Sequence, residues 1–195
     1  MNRAGSFVAA FCLAASLAQA QTPAARSTPA AKLVPEQSEI GFVSRQMGVP
    51  VEGRFRKFAA NVVFDPKKPE ASSITINIDT SSATIGDKDT DAEMPKAPWF
   101  AVAKFPTATF ESSAIKPAGA GKFEVAGKLS IKGVSQNIVV PVALAQTGTT
   151  STATGSFAIK RNDFKIGEGE WADTSMVANE VQVKFKLTLT GIAPL

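Results

Sequence analysis

The feature that most constrains the fold is an alternation of apolar and polar residues across residues 122–144. Apolar side chains occupy every second position of the first half of this stretch, interrupted by Gly127. A period of two predicts a β-strand with one buried face. Residues 133–137 then have turn chemistry, and the apolar alternation returns as far as Leu144. The stretch therefore predicts a long antiparallel hairpin whose apolar face must be covered by protein or by a ligand.

The same alternation organises most of the remaining chain. It is cleanest in residues 180–190, where apolar and polar side chains alternate without exception. Residues 32–34 and 38–45 predict two strands that pair with each other across a short turn. Residues 81–105 lack the pattern and predict a long loop with one or two short helical turns.

About eight such strands and no long helix predict an all-β fold, either an antiparallel sandwich or a barrel. The strands are long, and each has a single apolar face. Both properties favour closure into a single antiparallel β-barrel, since closure leaves no edge strand free to pair with another chain.

Residues 1–20 have the pattern of a cleavable signal peptide. Arg3 precedes an apolar run that is too short to span a membrane, and Ala18-Gln19-Ala20 fits a small-x-small cleavage site. Cleavage there removes Arg3 and lowers the formal net charge from +4 to +3. Cys12, the one cysteine of the chain, is also removed, so the mature protein must be stabilised by its core without disulfides. The pattern predicts a periplasmic protein.

The mature chain begins with a segment of different composition. Residues 21–31 are rich in Ala, Pro, Ser and Thr and predict a disordered lead-in. Residues 32–195 are then long enough to form one domain that buries most of its unfolded surface.

The absence of histidine and tyrosine from the sequence excludes much of catalytic and metal-binding chemistry. Ser-His and Cys-His catalysis and imidazole ligands all require histidine, so an esterase would need another base. Residues 87–91 begin like a calcium loop, but Ala92 and Pro98 replace the required glycine and glutamate. The small positive charge is scattered and forms no dense patch for nucleic acid. We therefore expect a protein that is neither an enzyme nor a binder of metal or nucleic acid.

Five short strings, in the right order, resemble motifs of the YceI-like family of exported bacterial proteins. They are residues 99–104 (WFAVAK), 105–112 (FPTATFES), 129–134 (LSIKGV), 159–164 (IKRNDF) and 180–183 (EVQV). Each string alone is weakly specific, whereas five in register are specific. The match extends over about residues 32–189.

The resemblance implies a lipocalin-like antiparallel barrel. In that family the barrel holds a long polyisoprenoid, such as a quinone tail or a polyprenyl chain, in an apolar pore. The resemblance implies no cofactor besides this bound lipid. Two departures bear on the head group more than on the fold: Gln37-Ser38 stands where many relatives have His-Ser, and Lys165 stands in place of an expected glycine.

Nine inward-facing apolar residues are candidates for the lining of such a pore. They are Phe42, Phe64, Ile76, Phe110, Val125, Leu129, Phe157, Val183 and Phe185. An eight-stranded barrel is just wide enough for these side chains either to fill one another or to surround a ligand. Gly127 and Gly155 lie among these large residues and favour a cavity. At about 0.8 kcal/mol per CH₂, burial of one five-carbon unit contributes roughly 3–4 kcal/mol before ordering costs.

Five more residues are candidates for the pore mouth or for contact with a head group. Trp99, Phe100 and Phe105 lie in the long loop, where they either cap the pore or form a separate cluster. Arg161 and Asp163 follow a strand end, where they either meet a head group or stabilise a turn through an ion pair and a side-chain-to-backbone hydrogen bond.

Two functions are consistent with these patterns. The first is a periplasmic protein that carries an isoprenoid lipid, such as a quinone, through water. The second is a solid-cored barrel that acts as an interaction or stress-response module, with a membrane redox protein as its partner. An exposed apolar patch would favour the second function. The sequence leaves tail length, head group and a homodimeric state open.

Overall fold

The computed structural model describes residues 29–195, so the expected signal peptide and residues 21–28 of the expected lead-in lie outside the described part. Eleven strands and one α-helix form within it. The strands are β1 (Lys32–Leu33), β2 (Glu39–Gln46), β3 (Val49–Phe55), β4 (Phe58–Val63), β5 (Ser73–Asp79), β6 (Ala83–Thr84), β7 (Thr107–Gly119), β8 (Lys122–Ile131), β9 (Val134–Thr147), β10 (Thr150–Lys160) and β11 (Glu180–Thr190). The helix α1 (Lys88–Glu93) lies in the long loop where short helical turns are predicted.

The strands form one curled antiparallel sheet. Its order is β4-β5-β7-β8-β9-β10-β11-β2-β3-β6, and β1 pairs with β11 beside this path. The predicted antiparallel β-barrel is therefore confirmed. The strand count exceeds the predicted eight partly because it includes β1 and β6, which are only two residues long.

Strand β1 and the residue before it link β11 to β4, the strand at one end of the sheet order. Leu33 pairs with Leu189 of β11, and the Ala31 N–H donates to the Val62 carbonyl of β4 at 2.7 Å. Ala31 is buried, so it belongs to the barrel and not to the lead-in. The predicted pairing of the first two strands is wrong, because β1 pairs with β11 while β2 pairs with β11 and β3.

The long hairpin that the sequence predicts is formed by β8 and β9. Its turn is the dipeptide Lys132-Gly133 and not the predicted residues 133–137, because β9 already begins at Val134. Lys132 and Gly133 both have positive φ, at 49° and 76°. A two-residue turn in which both residues have positive φ matches the right-handed twist of the flanking strands.

Pro141 sets the length of the pairing between β9 and β10. Their ladder ends at Val142, the residue that follows this proline in the sequence, and Pro141 itself has no N–H to donate. Strand β10 continues to Lys160 but then pairs with β11 alone. The 3₁₀ turn Arg161–Phe164 follows, and Phe164, only 2% exposed, joins the same buried cluster as Leu129.

Carboxylates from the segment that begins like a calcium loop hold α1 in place. Asp87 caps the helix, since its Oδ1 accepts the Thr90 N–H at 2.8 Å. This bond holds the pKa of Asp87 below its ordinary value. Asp91 accepts the Ile85 N–H at 2.8 Å and the Thr84 hydroxyl, which ties α1 to β6. Between residues 29 and 195, the helices are all too short or too polar to cross a membrane.

Candidate functional site

The lumen of the barrel contains two adjoining cavities. The inner cavity has a volume of about 130 Å³ and the outer cavity about 410 Å³. Five residues line both cavities and form a waist between them: Ile40, Ile78, Leu129, Phe157 and Val183. The barrel is therefore not filled from end to end by its own side chains.

Every side chain that lines the inner cavity is apolar. Besides the waist, the lining consists of Val62, Phe64, Ile74, Ile76, Phe110, Ile115, Phe123, Val125, Val140, Val142, Leu144, Ala153, Phe185, Leu187, Leu189 and Ile192. The rings of Phe64 and Phe123 meet edge to face with centroids 5.0 Å apart. An apolar cavity of about this size stays dry and accepts small hydrocarbon groups.

The outer cavity is larger and has a mixed lining. Strand residues on its wall are Phe42, Ser44, Gln46, Val51, Phe55, Ala108, Ile131, Ile159 and Val181, and residues from the covering loops are Ile85, Asp89, Thr90, Glu93, Met94, Trp99, Phe100, Arg161, Ile166, Trp171 and Val177. Its volume lies within the range of about 300–1,000 Å³ that is common for small-molecule sites.

Aromatic contacts connect the barrel wall of the outer cavity to the loop that covers it. The rings of Phe42 and Phe55 have centroids 5.5 Å apart, and those of Phe55 and Phe100 are 5.9 Å apart. Trp99 packs against Trp171 at 5.4 Å, which joins the loop before β7 to the loop before β11. Both tryptophans of the chain therefore lie at this cavity.

Three strand glycines provide flat surfaces on which phenylalanine rings of the lumen rest. A Cβ atom at Gly53 would lie 2.5 Å from Cε2 of Phe42. A Cβ at Gly127 would lie 2.5 Å from Cζ of Phe110, and one at Gly155 would lie 2.5 Å from Cζ of Phe185. The expectation that Gly127 and Gly155 leave room for a ligand is wrong, because aromatic rings already occupy that room.

Arg161 is a buried cation whose donors are all used by the protein. Its side chain is 1% exposed. Nε donates to the carbonyl of Ala178, Nη1 to those of Ile166 and Gly167, and Nη2 to those of Trp171, Val177 and Asp173, at 2.7–3.5 Å. Burial lowers the pKa of Arg161, but a guanidinium stays charged in proteins. Arg161 thus fastens residues 166–178 across the end of the barrel.

Lys132 fastens the same end from the β8–β9 turn. Its alternation in the sequence suggests a solvent-facing residue, yet it is buried. Nζ donates to the carbonyls of Pro98 and Lys165, at 3.1 and 2.6 Å, and to Oε2 of Glu168 at 2.7 Å. The hydrogen bond from Lys132 holds the pKa of Glu168 below its ordinary value. One lysine therefore connects the two loops that cover the outer cavity.

Comparison with known proteins identifies the family. A model of the YceI-like domain matches residues 32–189, which is most of the chain. The chain belongs to the YceI-like family. The resemblance seen in the five sequence motifs is thereby confirmed.

Relatives with similar sequences have names that do not describe an activity. A UPF0312 protein of Azotobacter vinelandii is 40% identical over 88 residues, which are 45% of this chain and 46% of the relative. A UPF0312 protein of Vibrio cholerae is 28% identical over 155 residues, 74% of this chain and 82% of the relative. The match thus spans about half of the first relative and most of the second.

Solved structures share the YceI-like fold. The crystal structure of Burkholderia cenocepacia BcnA has a TM-score of 0.78 at 47% identity and covers 80% of this chain and 99% of its own. A polyisoprenoid binding domain from Saccharophagus degradans, implicated in plant cell wall breakdown, has a TM-score of 0.68 at 19% identity. It covers 84% of this chain and 98% of its own chain, and at that identity it shows the fold alone.

All nine residues proposed for the pore of this YceI-like barrel lie on the wall of one or both cavities. Phe64, Ile76, Phe110, Val125 and Phe185 line the inner cavity, Phe42 lines the outer one, and Leu129, Phe157 and Val183 line both. The period of two identifies these positions, because alternate residues of every strand face the lumen.

The residues proposed for the mouth divide into two groups. Trp99, Phe100 and Arg161 line the outer cavity, whereas Phe105 and Asp163 do not. Phe105 lies against Gly133 of the hairpin turn, and Asp163 is exposed. The turn-stabilising alternative is right in one part and wrong in the other. The Arg161 side chain does bond to the backbone, at six carbonyls, but Arg161 and Asp163 form no ion pair among the described residues.

Sequence reasoning did not single out several residues of the outer cavity. Ile131 and Ile159 lie in the inward phase of strands already recognised, so their alternation is a signal that identifies them. Trp171 and Met94 lie in irregular segments, where no periodicity indicates which way a side chain points. The alternation predicts a solvent-facing Lys132, and this prediction is wrong because the turn begins one residue earlier than predicted and Lys132 is buried.

Proposed function

We propose that this protein is an exported carrier that holds a long isoprenoid lipid, of the quinone or polyprenyl type, in its lumen. The observation that carries the proposal is the pair of adjoining cavities, of which the inner one has only apolar walls. Such a pair of cavities suits a molecule with a long hydrocarbon tail and a more polar group at one end.

The energetics favour a tail of several prenyl units. Each five-carbon unit that leaves water contributes roughly 3–4 kcal/mol before ordering costs, at about 0.8 kcal/mol per CH₂. A few buried units are enough for retention in water without any catalytic group. The Saccharophagus structure is that of a polyisoprenoid binding domain, which supports this ligand class by analogy of fold.

The test is to purify the protein from its native host and to extract it with organic solvent. Mass spectra of the extract should show a prenyl lipid at a stoichiometry approaching one per protein. Repeated spectra without prenyl lipid, from protein that is folded by circular dichroism, would contradict the proposal. Cell fractionation tests the periplasmic location, which follows from the signal-peptide pattern of residues 1–20.

A second candidate function is a module that docks onto a membrane redox protein. The observation that favours it is a group of exposed apolar side chains beside the outer cavity: Met47 is 73% exposed, Val49 62% and Met176 48%. The Met47 N–H donates to the Met176 carbonyl at 2.9 Å, so the two loops lie together. Cross-linking in cells tests for a specific partner. The cross-linked product should be lost in Met47→Ser and kept in the control Val139→Ser, which lies on an outer strand face. Sedimentation equilibrium separately tests for a homodimer.

A further inference from the structure

The walls of the two cavities differ in polarity, and this difference orients any amphiphile in the lumen. The inner cavity has no polar side chain on its wall. The outer cavity has six polar or charged ones: Ser44, Gln46, Asp89, Thr90, Glu93 and Arg161. A polar group buried without a hydrogen bond is unfavourable, so the tail belongs in the inner cavity and the head group in the outer one.

Strand β2 carries the change from apolar to polar along a single row of inward side chains. Phe42, Ser44 and Gln46 occupy alternate positions that line the outer cavity, and the row becomes polar toward the β2–β3 hairpin. Within residues 29–195, neither the Ser44 hydroxyl nor the Gln46 amide donates or accepts a side-chain hydrogen bond. Both groups can donate and accept, which suits a carbonyl or hydroxyl on a ligand.

The two buried cations at this end are not available to an anion. A guanidinium has five N–H donors, and those of Arg161 are directed at six backbone carbonyls. An ammonium has three donors, and those of Lys132 go to two carbonyls and to Glu168. A phosphate would have to break these bonds to gain a charge-assisted one.

The remaining charged side chains on the wall of the outer cavity are carboxylates. Asp89 is exposed on α1 and forms no ion pair among the described residues, and Glu93 pairs with Lys96, which lies off the cavity wall. A phosphate ester carries about −1.5 to −2 charges at pH 7. The negative charge of Asp89, which no ion pair compensates among the described residues, opposes its approach.

We propose that the outer cavity selects an isoprenoid with an uncharged carbonyl- or hydroxyl-bearing head group and rejects prenyl phosphates. Ser44 and Gln46 are the specificity-determining hydrogen-bonding residues, and Asp89 disfavours anions. This inference rests on the proposed function. The apolar lumen alone would accept both uncharged isoprenoids and prenyl phosphates, and the inference narrows the ligand to the uncharged class.

The test compares three ligands with the same four-unit tail: geranylgeraniol, a menaquinone and geranylgeranyl monophosphate. Because both tryptophans line the outer cavity, their fluorescence reports binding there directly. On the solvent-stripped mature chain at low salt and pH 8, we expect the prenol and the quinone to bind at least about tenfold more tightly than the phosphate. A phosphate that binds as tightly as the prenol would overturn the inference. If none of the three binds, the proposed function itself fails.

Variants assign the roles to named side chains. Gln46→Leu should weaken the quinone several-fold, whereas Gln182→Leu, on β11 away from both cavity walls, should not. Asp89→Asn should raise the affinity for the phosphate and leave the prenol unchanged, whereas Asp163→Asn, exposed and off the cavity wall, should change neither. Equal effects in a variant and its control would refute the assignment of that residue.

Discussion

The contact between Phe42 and Gly53 offers a direct test of how the lumen is shaped. The two residues are cross-strand partners on β2 and β3, and the Phe42 ring rests where a side chain at Gly53 would be. We predict that Gly53→Ala forces this ring away from the wall and into the outer cavity. The variant should therefore lose both stability and ligand affinity.

The magnitude follows from the distances. A Cβ at Gly53 would lie 2.5 Å from Cε2 and 2.9 Å from Cε1 of Phe42. Carbon atoms prefer separations of about 3.5–4.0 Å, so the ring must move by about 1 Å. Overpacking of this kind costs about 1–3 kcal/mol, and the stiffer unfolded chain of alanine returns about 0.4–1 kcal/mol. We expect Gly53→Ala to lower the free energy of unfolding by about 1–2 kcal/mol.

Urea unfolding of the lipid-free protein, followed by circular dichroism, measures this change, and a double-mutant cycle identifies its cause. Phe42→Leu removes the ring atoms that collide with the new methyl group. Gly53→Ala should therefore be neutral or stabilising in the Phe42→Leu background. If the two substitutions are additive, or if Gly53→Ala alone is harmless, the ring does not depend on the glycine and the reasoning is wrong.

Three further predictions concern the fastening of the barrel end and the lumen. Arg161→Met should lower the free energy of unfolding by about 3 kcal/mol or more, because six carbonyl contacts lose their donors; a loss below about 1 kcal/mol in urea unfolding would show that water replaces the guanidinium. Leu129→Asp, at the waist, should abolish retention of prenyl lipid in solvent extracts, whereas Lys128→Asp, exposed on the same strand, should not; equal retention would place the lipid elsewhere. Glu168 has a lowered pKa because Lys132 donates to it, so its contribution to stability is present above the ordinary glutamate pKa and is lost as the pH falls through the lowered folded-state value. Thermal unfolding of Glu168→Gln should consequently lose less stability than the wild type across that acidic range, and parallel curves would contradict a role for this carboxylate.

The pattern of β-strands was predictable because it depends on local chemistry. In residues 180–190 the side-chain period of two indicates which residues face the lumen, and β11 has these same bounds. The family motifs, which the YceI-like domain match confirms, pointed to a lipocalin-like barrel. All nine proposed pore residues lie on a cavity wall for the same reason.

Pairing partners were less predictable, because hydrogen bonding between strands joins residues far apart in the chain. Lys32 and Leu33 pair with β11 at the opposite end of the sequence and not with the neighbouring β2. Burial of residues in irregular segments was equally hard to predict from the sequence. Arg161 looks like a surface residue after a strand, and only the return of residues 166–178 over it supplies the carbonyls that bury it.

The alternation of side chains is a property of each strand alone, so the sequence was enough to predict an antiparallel all-β fold with apolar inward faces and to favour a barrel. The partly open lumen, the glycines that seat aromatic rings and the two buried cations with occupied donors became visible only in the folded molecule. Those properties depend on distances between side chains from different strands and loops, and no single segment contains them.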